Sequence, residues 1–511
     1  MATPASRAAP APRPPLFSDV SALAASLAVA MIAVAAAARL ANLGVYSGSF
    51  DEGVRVQQLS LMAAGYRPFR DIFASQGVLL LDALYPFFAL GGQTLFGARL
   101  GVAVFSMLGL IASWWAAREL AGAWGGAFAI ALLAISPLYL QGSRQALAEV
   151  PSLASCLLAV AACLAYVRGG GRWLAVFACL AAASALLVKP MAIPILPALG
   201  IAFLLRGRRA WPELLVGATL AGLLIVVAVL VMGPAGVYEQ LVAYRGGAST
   251  ALDTDSGANV RLLLQAWRAE GWGLPVLAAV SGVLLLVRSP RLALVPVVWA
   301  LATLAMLVSY DDLSDKHLVY LIPPLALLAA TGASIGWTRG RLDVAADRSP
   351  PPARGTPRDR VVMIAGIIGV GAYLSTLPLA LSQSVMIVWP DVAAIERRRD
   401  RDTERQLVRH FQELSTTDGF VISDNPLAAF EAHRLVPPWL ADPSGTRVDA
   451  GSLSARLLIE QVQRYRPRVV ATWSGRTGKL GEYVDWLDQH YRLEATYADG
   501  AWRVYAAPST S

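Results

Sequence analysis

VSALAASLAVAMIAVAAAARLANLGVYSGSFDEG (20–53) opens with an apolar run over residues 20–41 and ends, about ten residues later, on Asp51-Glu52. A membrane-spanning helix needs about 20 apolar residues, and this run supplies them. It exceeds the usual ~7–15 residue apolar region of a cleaved signal peptide, so it reads as an uncleaved first span despite the small residues at Ala36 to Ala38. The rest of the chain agrees. Its 511 residues are 56% hydrophobic and only 15% charged, with mean hydropathy +0.53, against about 25% charged in soluble proteins.

The same criterion places apolar spans near 20–42, 98–117, 124–140, 150–167, 173–188, 190–206, 213–233, 272–288, 291–308, 318–337 and 361–384. About eleven transmembrane helices are therefore expected, uncertain by one or two because several are short or poorly separated. Alternate connections then hold Arg118; Arg168 and Arg172; Arg206, Arg208 and Arg209; Arg288 and Arg291; and the run from Arg339 to Arg360. The other connections are longer and mixed in sign, with Asp51, Glu52, Asp71, Glu149, Glu239, Asp253, Asp255, Asp311, Asp312 and Asp315. Basic loops stay cytoplasmic, so residues 1–19 form a cytoplasmic tail of a multi-pass inner (plasma) membrane protein, and the acidic loops face outward. The net charge of +8 is spread over these small groups, unlike the single basic face of a nucleic-acid binder. Cys156, Cys163 and Cys179 all lie in apolar runs, so no disulfide framework or metal site is implied.

Within the first outward loop, GVLLLDALYPFFALGG (77–92) is short for a span and long for a strand. It reads as a re-entrant or interface-lying helix. Residues 20–390 form the membrane domain. Beyond Pro390 the composition turns polar, and residues 391–511 read as a soluble α/β domain, placed outside by the odd helix count. FVISD (420–424) and RVVATW (468–473) read as strands around the helix LSARLLIEQVQRY, and RLEATYAD and WRVYAAP flank the hairpin turn Asp499-Gly500. It contains no GxGxxG and no GxxxxGK[ST].

Two adjacent carboxylates near a membrane surface can raise one another's pKa and furnish a base for a hydroxyl proton. Alone, Asp51-Glu52 is a weak signal, and a dipeptide of this kind is more often a solvated stretch of loop. Its surroundings add specificity. The stretch YSGSFDEGVRVQQLSLMAAGYRPFRDIFASQGVLLLDALYPFFALGGQTLFGARLGVAVFSMLGL (46–110) resembles the GT-C glycosyltransferases, in particular the bacterial branch grouped with protein O-mannosyltransferases and aminoarabinose transferases. Members similarly carry an acidic pair after helix one, a G-x-x-P-(F/Y)-R-D-x-F segment, an apolar loop helix and a span opening G-A-R-L. The likeness covers about residues 20 to 340.

Three further outward segments match that pattern. QGSRQALAEVPSLASCLLA supplies Arg144 and then Glu149 at the mouth of the next helix, where an acid is also favoured by the helix dipole alone. SALLVKPMAIPILPALG supplies Lys189, between two apolar runs, which either snorkels or contacts a donor phosphate. SYDDLSDKHLVYLIPPLALLAA supplies Lys316 and His317, cations for a lipid phosphate unless Asp311, Asp312 and Asp315 neutralise them in a solvated turn. The loop from Gly233 to Gly271, with Tyr244, Arg245, Asp253 and Asp255, is either a segment that orders on substrate or a plain connector.

The resemblance implies a transferase that moves a sugar from a polyprenyl-phosphate donor to an acceptor hydroxyl of a protein, glycan or lipid on the outer face. In this reading Asp51 is the general base and Glu52 or Glu149 orients acceptor or sugar. Arg144, Lys189, Lys316 and His317 steady the departing phosphate, and direct displacement inverts the anomeric carbon. No cofactor is required and no metal ligand set is assigned, although related enzymes include metal users. The partners are the donor, the acceptor and membrane lipids, with no nucleic acid. The alternative from another class is a transporter or lipid flippase, which places polar groups near the bilayer midplane.

Overall fold

The computed structural model describes residues 19–46, 48–251, 255–335 and 357–508. The tail 1–18, Asp253 and most of the basic run between Arg339 and Arg360 lie outside the described residues. The chain begins with α1 (Asp19–Leu40), then places α2 (Phe50–Ala63) and α3 (Leu80–Leu90) in the first long loop. There follow α4 (Leu95–Ile135), α5 (Pro137–Gly142), α6 (Glu149–Val167), α7 (Trp173–Val188), α8 (Ile195–Arg206) and α9 (Trp211–Met232). After the short turns α10 (Pro234–Val237) and α11 (Tyr244–Ala251) come α12 (Ser256–Glu270), α13 (Gly273–Arg288), α14 (Pro290–Val308), α15 (Ile322–Ile335) and α16 (Pro357–Val388). Within the described residues, each apolar run expected to span is largely helical. Among the described residues, six helices are long and apolar enough to cross a membrane, or seven if the α12–α13 pair, bent by 101°, counts as one.

The 41 residues of α4 would reach about 60 Å if straight, twice the ~30 Å of a bilayer's hydrocarbon. Ala121 and Gly122 leave the helical region, Gly122 with φ +76°. Past them the chain folds back. A Cβ on Gly126 would lie 2.9 Å from the carbonyl oxygen of Trp114, whereas residues twelve apart in a straight helix are about 18 Å apart. α4 is thus two arms, matching the separate runs 98–117 and 124–140. The membrane core centres on α6, 78% of whose apolar window is buried; α9 and α16, at 11% each, form its rim.

Beyond α16, α17 (Val392–Glu396), α18 (Arg399–Leu414), α19 (Pro426–Glu431), α20 (Gly445–Asp449), α21 (Ala455–Tyr465) and α22 (Gly481–His490) surround a four-stranded sheet. Its strands β1 (Ile422–Ser423), β2 (Val469–Thr472), β3 (Arg492–Tyr497) and β4 (Trp502–Ala506) lie in the order β1-β2-β4-β3. β1 and β2 are parallel across the helical crossover, and β3–β4 is the hairpin turning at Asp499-Gly500. This sheet is not a freestanding unit. Leu61 and Ile72, from the first loop, are fully buried among Leu407, Phe411, Val421 and Trp473 of the C-terminal part.

α2 is the helix on which the two parts meet, and its period of 3.6 residues sorts its side chains onto three faces. Phe50, Gly53, Gln57 and Leu61 face the C-terminal domain: Arg476 lies over the Phe50 ring, Gln57 donates to the Arg434 carbonyl at 2.8 Å, and Gly53 abuts Leu427. Glu52, Val56 and Leu59 turn into the helical core. Asp51, Arg55 and Gln58 form the third face: Asp51 lines a polar cleft, while the buried Arg55 bonds Gln58 and Gln58 donates to the Phe73 carbonyl at 2.7 Å. A Cβ on Gly53 would stand 2.7 Å from the Leu427 backbone nitrogen, closer than side chains tolerate. Gly53→Ala is therefore expected to lower stability by about 1–3 kcal/mol, the usual cost of overpacking. Thermal unfolding measures this, and proteolysis near Trp389 to Asp391 should quicken as the C-terminal domain loosens.

Candidate active site

The helix α2 starts where it does because Ser49 caps it: the Ser49 hydroxyl accepts from the Glu52 N–H at 3.4 Å. Ser49-x-x-Glu52 has the spacing of a capping box, and that was the legible signal for this helix. The Glu52 side chain, however, does not return to the cap. It makes two parallel bonds with Arg99 of α4, Nε to Oε1 at 2.8 Å and Nη2 to Oε2 at 2.7 Å, with both side chains almost wholly buried. Glu52 Oε1 also accepts from the Ala146 N–H at 2.8 Å. Arg99 Nη1 donates to the carbonyls of Leu43 and Val45 at 2.7 and 2.6 Å. Four segments are thereby locked together, and the rotation of α2 is fixed.

That rotation turns the neighbouring Asp51 into a cleft of about 300 Å³. Its walls are the start of α2 (Ser49, Asp51), α5 and the following turn (Leu138, Gln141, Gly142, Gln145, Leu147), the first residue of α6 (Glu149), and the 3₁₀ turn Asp315–Leu321 ahead of α15 (Asp315, Lys316, Val319). Asp51 is paired with Lys316. Burial raises the pKa of Asp51, but the Lys316 ammonium, its hydrogen bond, Arg55 and Lys189 outweigh burial and hold the carboxyl below the ordinary range. Burial likewise depresses Lys316, yet Asp51 and Glu149 raise it on balance. Both groups are charged at neutral pH.

Behind them sits a second pair. Lys189, at the extended C-cap of α7, meets Glu149 at 2.5 Å, and both are buried, so the lysine pairs rather than snorkels. His317 Nε2 lies 3.9 Å from the same Glu149 oxygen, while its Nδ1 accepts from the Ser314 N–H at 3.3 Å. Burial first, then Lys189, Lys316 and Arg245, hold the His317 pKa well below that of free imidazole. It is therefore neutral, a donor through Nε2 rather than a cation.

Two of the sequence-selected residues lie away from the cleft. Glu52 is spent on Arg99. Arg144 donates to the Ala38 and Arg39 carbonyls, at 2.5 and 3.1 Å, and so caps the C-terminal end of α1. The structure adds Arg55, one turn after Asp51 and buried, bonded through Nη1 to Gln58 at 2.5 Å. It lies in the fields of Asp51, Glu149 and Asp442. Arg245 also faces this region, donating to the Ser75 carbonyl at 2.6 Å. The spacing Asp51 to Arg55 puts both on one helix face, a signal available once α2 is recognised as a helix. Asp442 had no signal, because it reaches the site only through the docking of the C-terminal domain, where Ser75 donates to it at 2.7 Å.

With this geometry in hand, known proteins give a consistent picture of the fold. ArnT from Cupriavidus metallidurans bound to undecaprenyl phosphate is 15% identical, with 96% of this chain and 98% of that one covered at a TM-score of 0.62. The chain shares the GT-C fold. ArnT in the apo state matches at 0.57, with 15% identity and 95% and 97% coverage. The Archaeoglobus fulgidus oligosaccharyltransferase tethered with an acceptor peptide matches at 0.50, with 14% identity and 97% and 75% coverage. Residues 83–233 match the sequence profile of the dolichyl-phosphate-mannose-protein mannosyltransferase family. No curated protein matches. The chain is thus a GT-C-like multi-pass membrane protein whose polar cleft lies at the helix ends around α2.

The Glu52–Arg99 pair gives this site a direct test. Breaking a buried ion pair from one side leaves an uncompensated charge and costs about 3–5 kcal/mol, whereas replacing both partners costs far less. Arg99→Met should lower the melting temperature of the detergent-solubilised protein steeply, and Glu52→Gln with Arg99→Met should recover much of it.

Proposed function

We propose that this protein is a membrane glycosyltransferase that moves a sugar from a polyprenyl-phosphate donor onto an acceptor hydroxyl, with Asp51 as general base. The observation that carries this reading is the Asp51–Lys316 pair at the cleft: a carboxylate able to take a proton, held by a cation able to take a phosphate. The binding of undecaprenyl phosphate by the similarly folded ArnT supports the donor class. In the proposed topology the chain crosses the plasma membrane eleven times, counting α4 as two passes, with a cytoplasmic N-terminus. The cleft and the C-terminal domain then face the outside. The basic short connections support that orientation.

In the proposed reaction the donor phosphate enters beside Lys316, which gives up Asp51 for the phosphate oxygens. Freed of its ammonium partner, Asp51 rises in pKa and becomes a stronger base. It accepts the acceptor hydroxyl's proton as that oxygen bonds to the anomeric carbon and the bond from carbon to phosphate oxygen breaks, which inverts the centre. The phosphate leaves already charged, on its lipid, so cations stabilise what a general acid would otherwise protonate. Lys189, Lys316, Arg55 and Arg245 supply them, outnumbering Asp51, Glu149 and Asp442. The scheme requires no metal. Glu149 holds Lys189 and, with neutral His317, orients the sugar. Glu52 acts through the orientation of α2, and Arg144 through the end of α1. The flippase reading loses ground because these ionisable groups sit at helix starts and ends.

Incubating membranes that contain the protein with radiolabelled polyprenyl-phosphate sugars tests the assignment. Asp51→Asn should reduce transfer by about 10²-fold or more, the usual contribution of a positioned base; equal transfer by both proteins would remove Asp51 from the chemistry. The pH profile supplies a second check. Asp51 is an active base only when ionised, and Lys316 holds its pKa low in the free enzyme. Lys316→Met should therefore move the acidic limb of the transferase kcat/KM profile to higher pH, in addition to weakening donor use.

A further inference from the structure

Arg476 lies in the loop between β2 and α22, on the C-terminal domain. Its guanidinium carbon is 3.9 Å from the centre of the Phe50 ring, and Phe50 is the first residue of α2, directly before Asp51. Several arginines of this domain are held by acceptors within it. Arg401 pairs with Glu431 at 2.7 Å, Arg434 donates to the Ser415 hydroxyl at 2.9 Å, Arg447 to the Asp442 carbonyl at 2.8 Å, and Arg503 to Asp488 at 3.2 Å. Arg476 has an aromatic face and, among the described residues, no carboxylate or carbonyl partner. It is partly exposed, so its donors are open to a ligand.

The loop that carries it is held rigidly. Asp424, fully buried at the end of β1, accepts from the N–H groups of Trp473 at 2.5 Å, Ser474 at 3.1 Å and Thr477 at 3.2 Å, and from the Thr477 hydroxyl at 3.1 Å. These bonds bracket Arg476 in sequence and set its position. A guanidinium stacked on a ring keeps its edge donors free for a bidentate oxyanion. The phosphate cations Lys316 and Lys189 approach Asp51 from the other side of α2, through the face bearing Asp51 and Arg55, whereas Phe50 and Arg476 flank the start of the helix from the domain side. A donor phosphate has its cations already.

We propose that Arg476 is an acceptor-binding residue, recognising a negatively charged group, phosphate or carboxylate, on the glycan or lipid headgroup whose hydroxyl Asp51 deprotonates. This rests on the transferase reading and adds to it the charge of the acceptor and a residue of the C-terminal domain that selects it. The domain's docking on α2 then has a purpose in substrate choice as well as in stability.

The test uses the full chain in detergent, as wild type, Arg476→Gln and Arg476→Lys, first saturated with undecaprenyl phosphate. Binding of glucose 1-phosphate, glucuronate and neutral glucose is then titrated. Wild type is expected to prefer at least one of the charged sugars over glucose by tenfold or more, and whichever is preferred identifies phosphate or carboxylate as the ligand. Arg476→Gln should abolish that preference, Arg476→Lys should retain part of it, and the affinity for undecaprenyl phosphate should be unchanged in both. Absence of any preference in wild type, or a preference unaffected by Arg476→Gln, overturns the proposal. Retained undecaprenyl phosphate binding reports that the variants are folded; its absence in wild type counts against the transferase reading itself, separately from the sugar result.

Discussion

The buried ion pair between Glu52 and Arg99 is the constraint from which the site follows. A carboxylate and a guanidinium removed from water need near-complete hydrogen bonding to be tolerated, and here every contact ties a different segment: α2, α4, the end of the α1–α2 connection and the turn before α6. Because successive residues of a helix point about 100° apart, fixing Glu52 inward leaves Asp51 only one direction. It meets the cleft. The two carboxylates of one dipeptide are thus separated into a structural anchor and a solvent-reachable base candidate by nothing more than helical geometry.

The same geometry explains why the C-terminal domain belongs to the site. α2 has three faces, and the domain occupies one of them through Phe50, Gly53, Gln57 and Leu61. Asp442 and Arg447 then reach the first loop beside Ser75 and Phe73. A domain docked this closely brings the Asp442 carboxylate into the field of Arg55, one turn after Asp51. Domain and membrane helices form one working surface.

Much of the architecture was legible in the sequence because apolar runs of spanning length have few alternatives in a folded chain. The separate runs on either side of Arg118 were also sound, since Gly122 turns α4 back on itself. The β3–β4 hairpin followed from Asp499-Gly500. What escaped was α2, a mixed helix of 14 residues with no continuous apolar run; its Ser49 cap and apolar Val56 and Leu59 were the cues. The resemblance to the GT-C glycosyltransferases grouped Asp51, Glu149, Lys189, Lys316 and His317, yet it could not say which way a long side chain reaches. Arg144 bends back to α1, and His317 is kept neutral first by burial and then by Lys189, Lys316 and Arg245. Asp442 and Arg476 enter only through tertiary docking, which has no local signature.

In the proposed mechanism one ammonium group serves two anions in turn, Asp51 at rest and the donor phosphate during transfer. Calorimetric titration of undecaprenyl phosphate into wild type, Lys316→Met and Asp51→Asn tests it most directly. Weaker binding by Lys316→Met together with tighter binding by Asp51→Asn is the predicted pattern, because removing the competing carboxylate releases the lysine. Equal affinity in all three proteins would contradict it.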